Sequence, residues 1–133
     1  MREFSLVLAV ACGGAFGAVM RYLLSGMAIR YVPGFEPVGT LVVNLLGCFL
    51  IGLLFSLAAL GGWFGHPTTS AFLITGGLGS LTTFSTFGYQ TLVLLEKGSW
   101  LPALLNVSGN LLGGLLCVTA GIALGRFVVE MVK

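Results

Sequence analysis

The chain has 133 residues, of which 57% are hydrophobic and only 8% are charged, with a formal net charge of +2. Soluble domains usually carry about 25% charged residues, so this composition excludes a soluble fold and indicates an integral membrane protein. The sequence contains no basic run of the kind that binds nucleic acid.

The charged residues lie at the ends of long apolar stretches, and none occurs between Glu36 and Glu96. A helix needs about 20 apolar residues to cross the hydrocarbon core of a bilayer. This stretch therefore holds two spans, separated by a turn over 61–70, and one further span lies on either side of it. We predict an all-α membrane protein with a single domain over 1–133. Its four transmembrane helices cover about 4–30, 38–60, 70–95 and 99–127.

In the first predicted helix, Gly13 and Gly17 form a small-xxx-small pair, which favours close packing of helices. Arg21 follows four residues later, near the end of the helix. Its guanidinium group keeps its charge, so two interpretations remain open. Arg21 either anchors the helix at the membrane interface or lines an aqueous vestibule that attracts anions.

In the second predicted helix, Thr40 and Asn44 are four residues apart and share a face. The Asn44 amide offers two donors and an acceptor. It could serve an ion pathway, or it could simply join helices, an interaction typically worth about 0.6 kcal/mol in membranes.

The third predicted helix contains Gly76, Gly77 and Gly79 in the middle of the span, where glycine weakens a helix. We predict that the helix breaks there. A break inside a membrane frees carbonyl and amide groups, which then need partners from protein, water or an ion.

Aromatic and hydroxyl side chains follow these glycines. Phe84 and Phe87 share one face, while Thr82 and Thr86 share a neighbouring face with Ser85 between them. Ring edges carry partial positive charge, and hydroxyls are donors that rotate to suit a ligand. This combination suits a small anion that has lost its water. The alternative is that the hydroxyls bond back to carbonyls of their own helix.

The fourth predicted helix presents a polar stripe through Asn106 and Asn110. All four acidic residues lie at or near span ends, which argues against a proton-coupled transporter. Neither a nucleophile–base pair nor a metal-ligand cluster is recognisable, so an enzyme is not expected.

The six Lys and Arg residues divide evenly between the two sides of the predicted bundle. One side carries Arg2, Arg126 and Lys133, and the other carries Arg21, Arg30 and Lys97. Topology normally follows an excess of these residues on the cytoplasmic side. A balanced count favours insertion in both orientations and an antiparallel pair of chains, unless a few charges decide for one orientation.

Three motifs resemble the Fluc (CrcB) family of bacterial fluoride channels: "GAxxRY" at 17–22, "GTLVVNLLG" at 39–47 and "GGLGSLTTFSTFG" at 76–88. The resemblance extends over nearly the whole chain. It implies a dual-topology antiparallel homodimer in the bacterial inner membrane, with two pores that let cytoplasmic fluoride leave passively. The partners would be fluoride, a second copy of the chain and the bilayer.

The resemblance also implies the site residues. A structural sodium ion at the dimer centre would be held by the main-chain carbonyls of Gly79 and Thr82 from each chain. Ring edges of Phe84 and Phe87 would face fluoride. The other pore residues would be Thr40, Asn44, Ser85, Thr86 and Asn110, with Arg21 in the vestibule.

The chain departs from the family pattern at Gln90, where many relatives have Glu, and at Asn106 and Asn110, where some have Tyr and Ser. These differences concern details of the pore. Two other functions stay open on sequence grounds. One is a small dual-topology exporter driven by protons, and the other is a non-conducting assembly subunit whose polar groups only join helices.

Overall fold

The computed structural model describes residues 2–132, and all secondary structure in that range is helical, as the composition predicted. Within that range, three helices are long and apolar enough to cross a membrane without interruption: α1 (Arg2–Tyr31), α2 (Val38–Leu60) and α5 (Trp100–Val132). The third segment in chain order instead consists of two shorter helices, α3 (67–81) and α4 (Phe84–Glu96). Backbone turns are widened to the π-helical form at Ala71–Leu78 in α3 and at Gly109–Gly113 in α5.

The connection between α2 and α3 is shorter than the predicted turn over 61–70, because α3 already begins at Pro67. Proline suits the first helical position, where its missing N–H would have no partner in the helix. His66 caps this end, since its Nδ1 accepts the Thr68 N–H at 3.2 Å. At the other end of the third segment, Gly98 follows the last turn of α4 and has a positive φ of 70°. Glycine adopts this conformation without steric cost.

The break in the third segment lies at Thr82 and Thr83. Both are in extended conformation, with ψ of 156° and 110°, respectively. The prediction that the helix breaks at Gly76, Gly77 and Gly79 is therefore wrong in its position, because α3 continues through all three glycines.

These glycines instead allow α3 to approach α1 closely. A Cβ atom on Gly13 would overlap the carbonyl oxygen of Phe72, and one on Gly17 would overlap that of Gly77. A Cβ on Gly76 would lie 3.0 Å from the Cα of Gly13. Small residues on both helices thus bring the two backbones into contact, which is how helices associate in a membrane without a hydrophobic driving force.

A second close pair is formed by α2 and α5. A Cβ on Gly121 would overlap the carbonyl oxygen of Phe49, and one on Gly125 would lie 2.5 Å from the Cβ of Ser56. The two pairs meet at a small buried cluster of Val43, Leu78 and Leu81. This cluster packs the end of α3, directly before the break, against α2.

Candidate functional site

A cavity of about 370 Å³ lies beside the break, where α2, α3, α4 and α5 meet. Most of its wall is apolar, and its polar groups are concentrated at the break. The cavity brings together six of the residues predicted to form the site: Asn44, Gly79, Thr82, Phe84, Phe87 and Asn110.

Asn44 holds the break open from the facing helix. Its Oδ1 accepts the N–H of Thr83 at 2.8 Å, and its Nδ2 donates to the carbonyl of Thr83 at 3.3 Å. One amide side chain therefore satisfies both backbone groups of a residue that has left the helix. Because buried backbone groups need partners, Asn44 explains why the chain leaves the helix at Thr83 and not at the glycines.

Four carbonyl groups, those of residues 79–82, lose their helical donors at this point, because α4 begins anew at Phe84. In a continuous helix, the N–H of Thr83 would bond to the carbonyl of Gly79, but it donates to Asn44 instead. In the same way, the N–H of Thr86 would bond to the carbonyl of Thr82, but it donates to the Thr83 hydroxyl at 3.3 Å. The carbonyls of Gly79 and Thr82 are the ones that the family resemblance implies for sodium, and oxygen ligands of this kind suit a hard cation. Within residues 2–132, His, Cys, Asp and Glu form no cluster that could hold a metal ion.

Hydroxyl groups gather around the start of α4. Thr83 is its N-cap, and the Thr83 Oγ1 lies 3.2 Å from the Ser85 Oγ and 3.0 Å from the Thr86 Oγ1. The role of Thr83 was not predicted, although a threonine directly before a helix is a recognised capping signal. The Thr82 hydroxyl behaves differently, because it donates to the Leu78 carbonyl at 3.1 Å within its own helix, as the alternative interpretation expected.

The two phenylalanine rings lie next to each other at this end of α4. Their centroids are 5.3 Å apart and the ring planes are inclined by 57°. Phe87 is only 8% exposed, whereas Phe84 is 78% exposed in the single chain. Phe87 is therefore fixed by packing within the chain, while most of the Phe84 ring is left open beside the cavity.

A chain of amide side chains leads from the break to Thr91, one turn beyond Phe87 in α4. The Nδ2 of Asn44 donates to the Oδ1 of Asn110 at 2.8 Å, and the Nδ2 of Asn110 donates to the Oδ1 of Asn106 at 3.0 Å. Asn106 in turn donates to the Oγ1 of Thr91 at 2.9 Å. The polar stripe of Asn106 and Asn110 is therefore part of a network across three helices. Its end at Thr91 was not predicted, because no spacing rule links residues on different helices.

The remaining predicted residues do not line this cavity. Ser85 and Thr86 reach it through their contacts with Thr83. Thr40 is 5% exposed and lies one turn before Asn44 on α2. Arg21 is half-buried on α1 and is not among the residues that line the cavity.

The family model described as "CrcB-like protein, Camphor Resistance (CrcB)" matches residues 8–122 of the chain. That range contains the whole of the cavity wall and both halves of the broken helix.

Curated relatives are similar over most of their length. The chain is 44% identical over 121 residues to a protein from Chloroflexus aurantiacus, covering 91% of this chain and 95% of the relative. It is 44% identical over 128 residues to one from Nitratidesulfovibrio vulgaris, covering 96% and 100%, respectively. A Shewanella putrefaciens relative is 49% identical over 107 residues, or 79% of this chain and 83% of the relative. All three relatives are called "Fluoride-specific ion channel FluC".

Proposed function

Because the chain belongs to the CrcB-like family, we propose that it is a fluoride channel through which cytoplasmic fluoride leaves passively, down its electrochemical gradient. The family consists of ion channels, so the protein is not an enzyme. One structural observation supports the proposal independently of the similarity to these relatives. Two phenylalanine rings and a cluster of hydroxyls meet where a helix begins inside an apolar protein.

Fluoride crosses the protein because groups of the chain replace the water that it loses. The hydroxyls of Ser85 and Thr86 act as donors, and the edges of Phe84 and Phe87 supply partial positive charge. Asn44, Asn110 and Thr40 belong to the same pore, and Arg21 attracts anions at its mouth. A narrow path with donors of this kind suits a small, strongly hydrated ion better than chloride.

The start of α4 adds to this attraction. A helix N-terminus carries a partial positive charge, and the first amide groups have no partner within the helix. In α4 these groups belong to Phe84 and Ser85, since the Thr86 N–H is bonded to the Thr83 hydroxyl. Negative charge is therefore favoured close to the rings and hydroxyls.

A sodium ion would be held by the carbonyls of Gly79 and Thr82, both of which lack their helical donors. Gly79 is exposed in the single chain, so a second chain could complete the set of ligands. When bound, the ion would satisfy these carbonyls and add positive potential near the pore.

We propose that two chains associate in antiparallel orientation in the bacterial inner membrane, with two pores for each dimer. The even division of Lys and Arg supports insertion in both orientations. The high exposure of the Phe84 ring beside the cavity supports a partner at this face.

Purified protein in sealed vesicles, with fluoride inside and no pH gradient, tests the proposal directly. We expect fluoride to leave as soon as a potassium ionophore provides counter-ion movement, as recorded with a fluoride electrode. The variant Phe84→Ile removes a ring edge and should reduce the flux. Its matched control is Phe55→Ile, which replaces a phenylalanine on α2 that is 61% exposed and lies outside the cavity.

The same experiment distinguishes the other two functions. A proton-coupled exporter would move fluoride only when a pH gradient is applied. A non-conducting assembly subunit would hold fluoride as tightly as empty vesicles do, and Phe84→Ile would change nothing. Either result would refute the proposed channel.

A further inference from the structure

We propose that Thr91 and Asn106 are positioning residues, which fix the orientation of the Asn44 amide and thereby the shape of the helix break. This inference rests on the function proposed above. Neither residue lines the cavity, and both act through the amide chain that ends at Thr83.

The Thr91 hydroxyl sets the direction of the hydrogen bonds along the amide chain. Its hydroxyl donates to the carbonyl of Phe87 at 2.8 Å, so towards Asn106 the same oxygen can act only as an acceptor. The Asn106 amide must therefore turn its nitrogen towards Thr91, at a distance of 2.9 Å. The amide oxygen of Asn106 is then left facing the opposite way.

The orientation is passed on from one amide to the next. The Oδ1 of Asn106 faces the Nδ2 of Asn110, which also donates to the Asn106 carbonyl at 2.9 Å. The Oδ1 of Asn110 then faces the Nδ2 of Asn44, and the Oδ1 of Asn44 faces the N–H of Thr83. Reversing any one amide would set two donors or two acceptors against each other.

Burial makes the amide chain sensitive to the loss of a hydrogen-bond partner at its Asn106 end. Asn106 is fully buried, with an exposed fraction of 0%, so water has no direct access to replace a lost partner. Leaving one buried donor without a partner costs much more free energy than replacing both partners of the bond by apolar groups. When the Thr91 hydroxyl is removed, Asn106 and the amides bonded to it must therefore reorient.

The amide chain also determines which hydrogen-bond donors remain free for an ion. Both N–H groups of Asn44 are engaged, one by Thr83 and one by Asn110. Both N–H groups of Asn110 are directed to Asn106. The asparagines therefore shape the path, and the hydroxyls at the start of α4 are left as the side-chain donors that meet the ion.

The variant Thr91→Val tests this, because it removes the hydroxyl and keeps the shape of the side chain. Thr91→Ser restores the hydroxyl. Thr119→Val is the matched control, since the Thr119 hydroxyl also donates to a carbonyl four residues earlier, at 2.9 Å, but has no side-chain amide partner within residues 2–132. Two quantities are measured: fluoride flux from vesicles and the side-chain amide resonances of protein labelled with 15N-asparagine. Asn44, Asn106 and Asn110 are the only asparagines in the sequence, so every side-chain amide resonance comes from a member of the amide chain.

We expect Thr91→Val to lower fluoride flux by about fivefold or more and to shift the Asn44 resonances, although Asn44 does not touch Thr91. Thr91→Ser and Thr119→Val should resemble the unmodified protein in both measurements. Unchanged flux, or unmoved Asn44 resonances, in Thr91→Val would overturn the inference. If the unmodified protein passes no fluoride at all, the proposed function fails instead, and the Asn44 resonances alone then decide whether Thr91 orients the amide chain.

Discussion

Replacing Asn44 with leucine should collapse the helix break while leaving the bundle assembled. Leucine has a similar size but cannot hydrogen-bond, so Asn44→Leu removes three bonds at once. Two of them join Asn44 to the backbone of Thr83, at 2.8 and 3.3 Å, and the third joins it to Asn110 at 2.8 Å. The N–H of Thr83 is then free to return to the carbonyl of Gly79, which would extend α3 through the break.

The size of the effect follows from the two bonds to Thr83, because the bond to Asn110 does not involve the backbone of the break. Side-chain hydrogen bonds between membrane helices average about 0.6 kcal/mol each, so the break loses about 1.2 kcal/mol relative to a continuous helix. A difference of 1.4 kcal/mol changes an equilibrium about tenfold, so 1.2 kcal/mol corresponds to about a sevenfold shift. We therefore expect fluoride flux to fall by about fivefold or more, with a small loss of stability because the glycine contacts of α1 with α3 remain.

Fluoride efflux from vesicles measures the first quantity, and thermal unfolding in detergent measures the second. The control is Ser56→Ala on the same helix. The Ser56 hydroxyl also reaches another helix, at 3.4 Å from the carbonyl of Ile122, but it lies away from the cavity. The control should retain its flux. If Asn44→Leu conducts fluoride as well as the Ser56→Ala control does, the idea that Asn44 maintains the break is wrong.

Three further predictions concern packing, an unpaired oxygen and the cation. Gly13→Ala should destabilise the protein by about 1–3 kcal/mol, because the new methyl group overlaps the Phe72 carbonyl. Gly26→Ala on the same helix should not, since no described residue outside its own turn of helix has an atom within 4 Å of the new Cβ, and thermal unfolding compares the two. Gln90→Met should raise the thermal midpoint, because the buried Oε1 of Gln90 has no hydrogen-bond partner among the described residues and such a group costs about 1–3 kcal/mol. A lower midpoint would show that this oxygen is hydrogen-bonded in the assembled protein. Replacing sodium with a large organic cation should lower the thermal midpoint of the assembled protein if carbonyls hold sodium, and an identical midpoint in both media would count against that site.

The packing of α1 illustrates how far a local pattern is informative. The pair Gly13 and Gly17 predicted close helix packing, and both residues do lie against α3. Gly76 and Gly77 form the other side of that contact, although their spacing was interpreted as a break in the helix. A glycine in a membrane helix weakens the helix and also permits close approach, and the sequence does not distinguish the two uses.

The amide chain shows a similar limit. The spacing of Asn106 and Asn110 predicted a polar stripe, and the structure has both residues in one network. Thr91 could not be assigned to that network, because its hydroxyl meets Asn106 only after α4 folds back against α5. The helical repeat relates residues three or four positions apart on one helix, and it carries no information about which faces of two helices meet.

The sequence by itself determined the class of protein, the helical segments and the presence of rings and hydroxyls after a weakened helix, because these depend on apolar length and on spacing along one chain. Only the tertiary structure decided where the third helix breaks and which groups hold it open. The physical reason is that leaving a helix inside a membrane requires a new partner for each backbone group. The partner of Thr83 is Asn44, which comes from another helix.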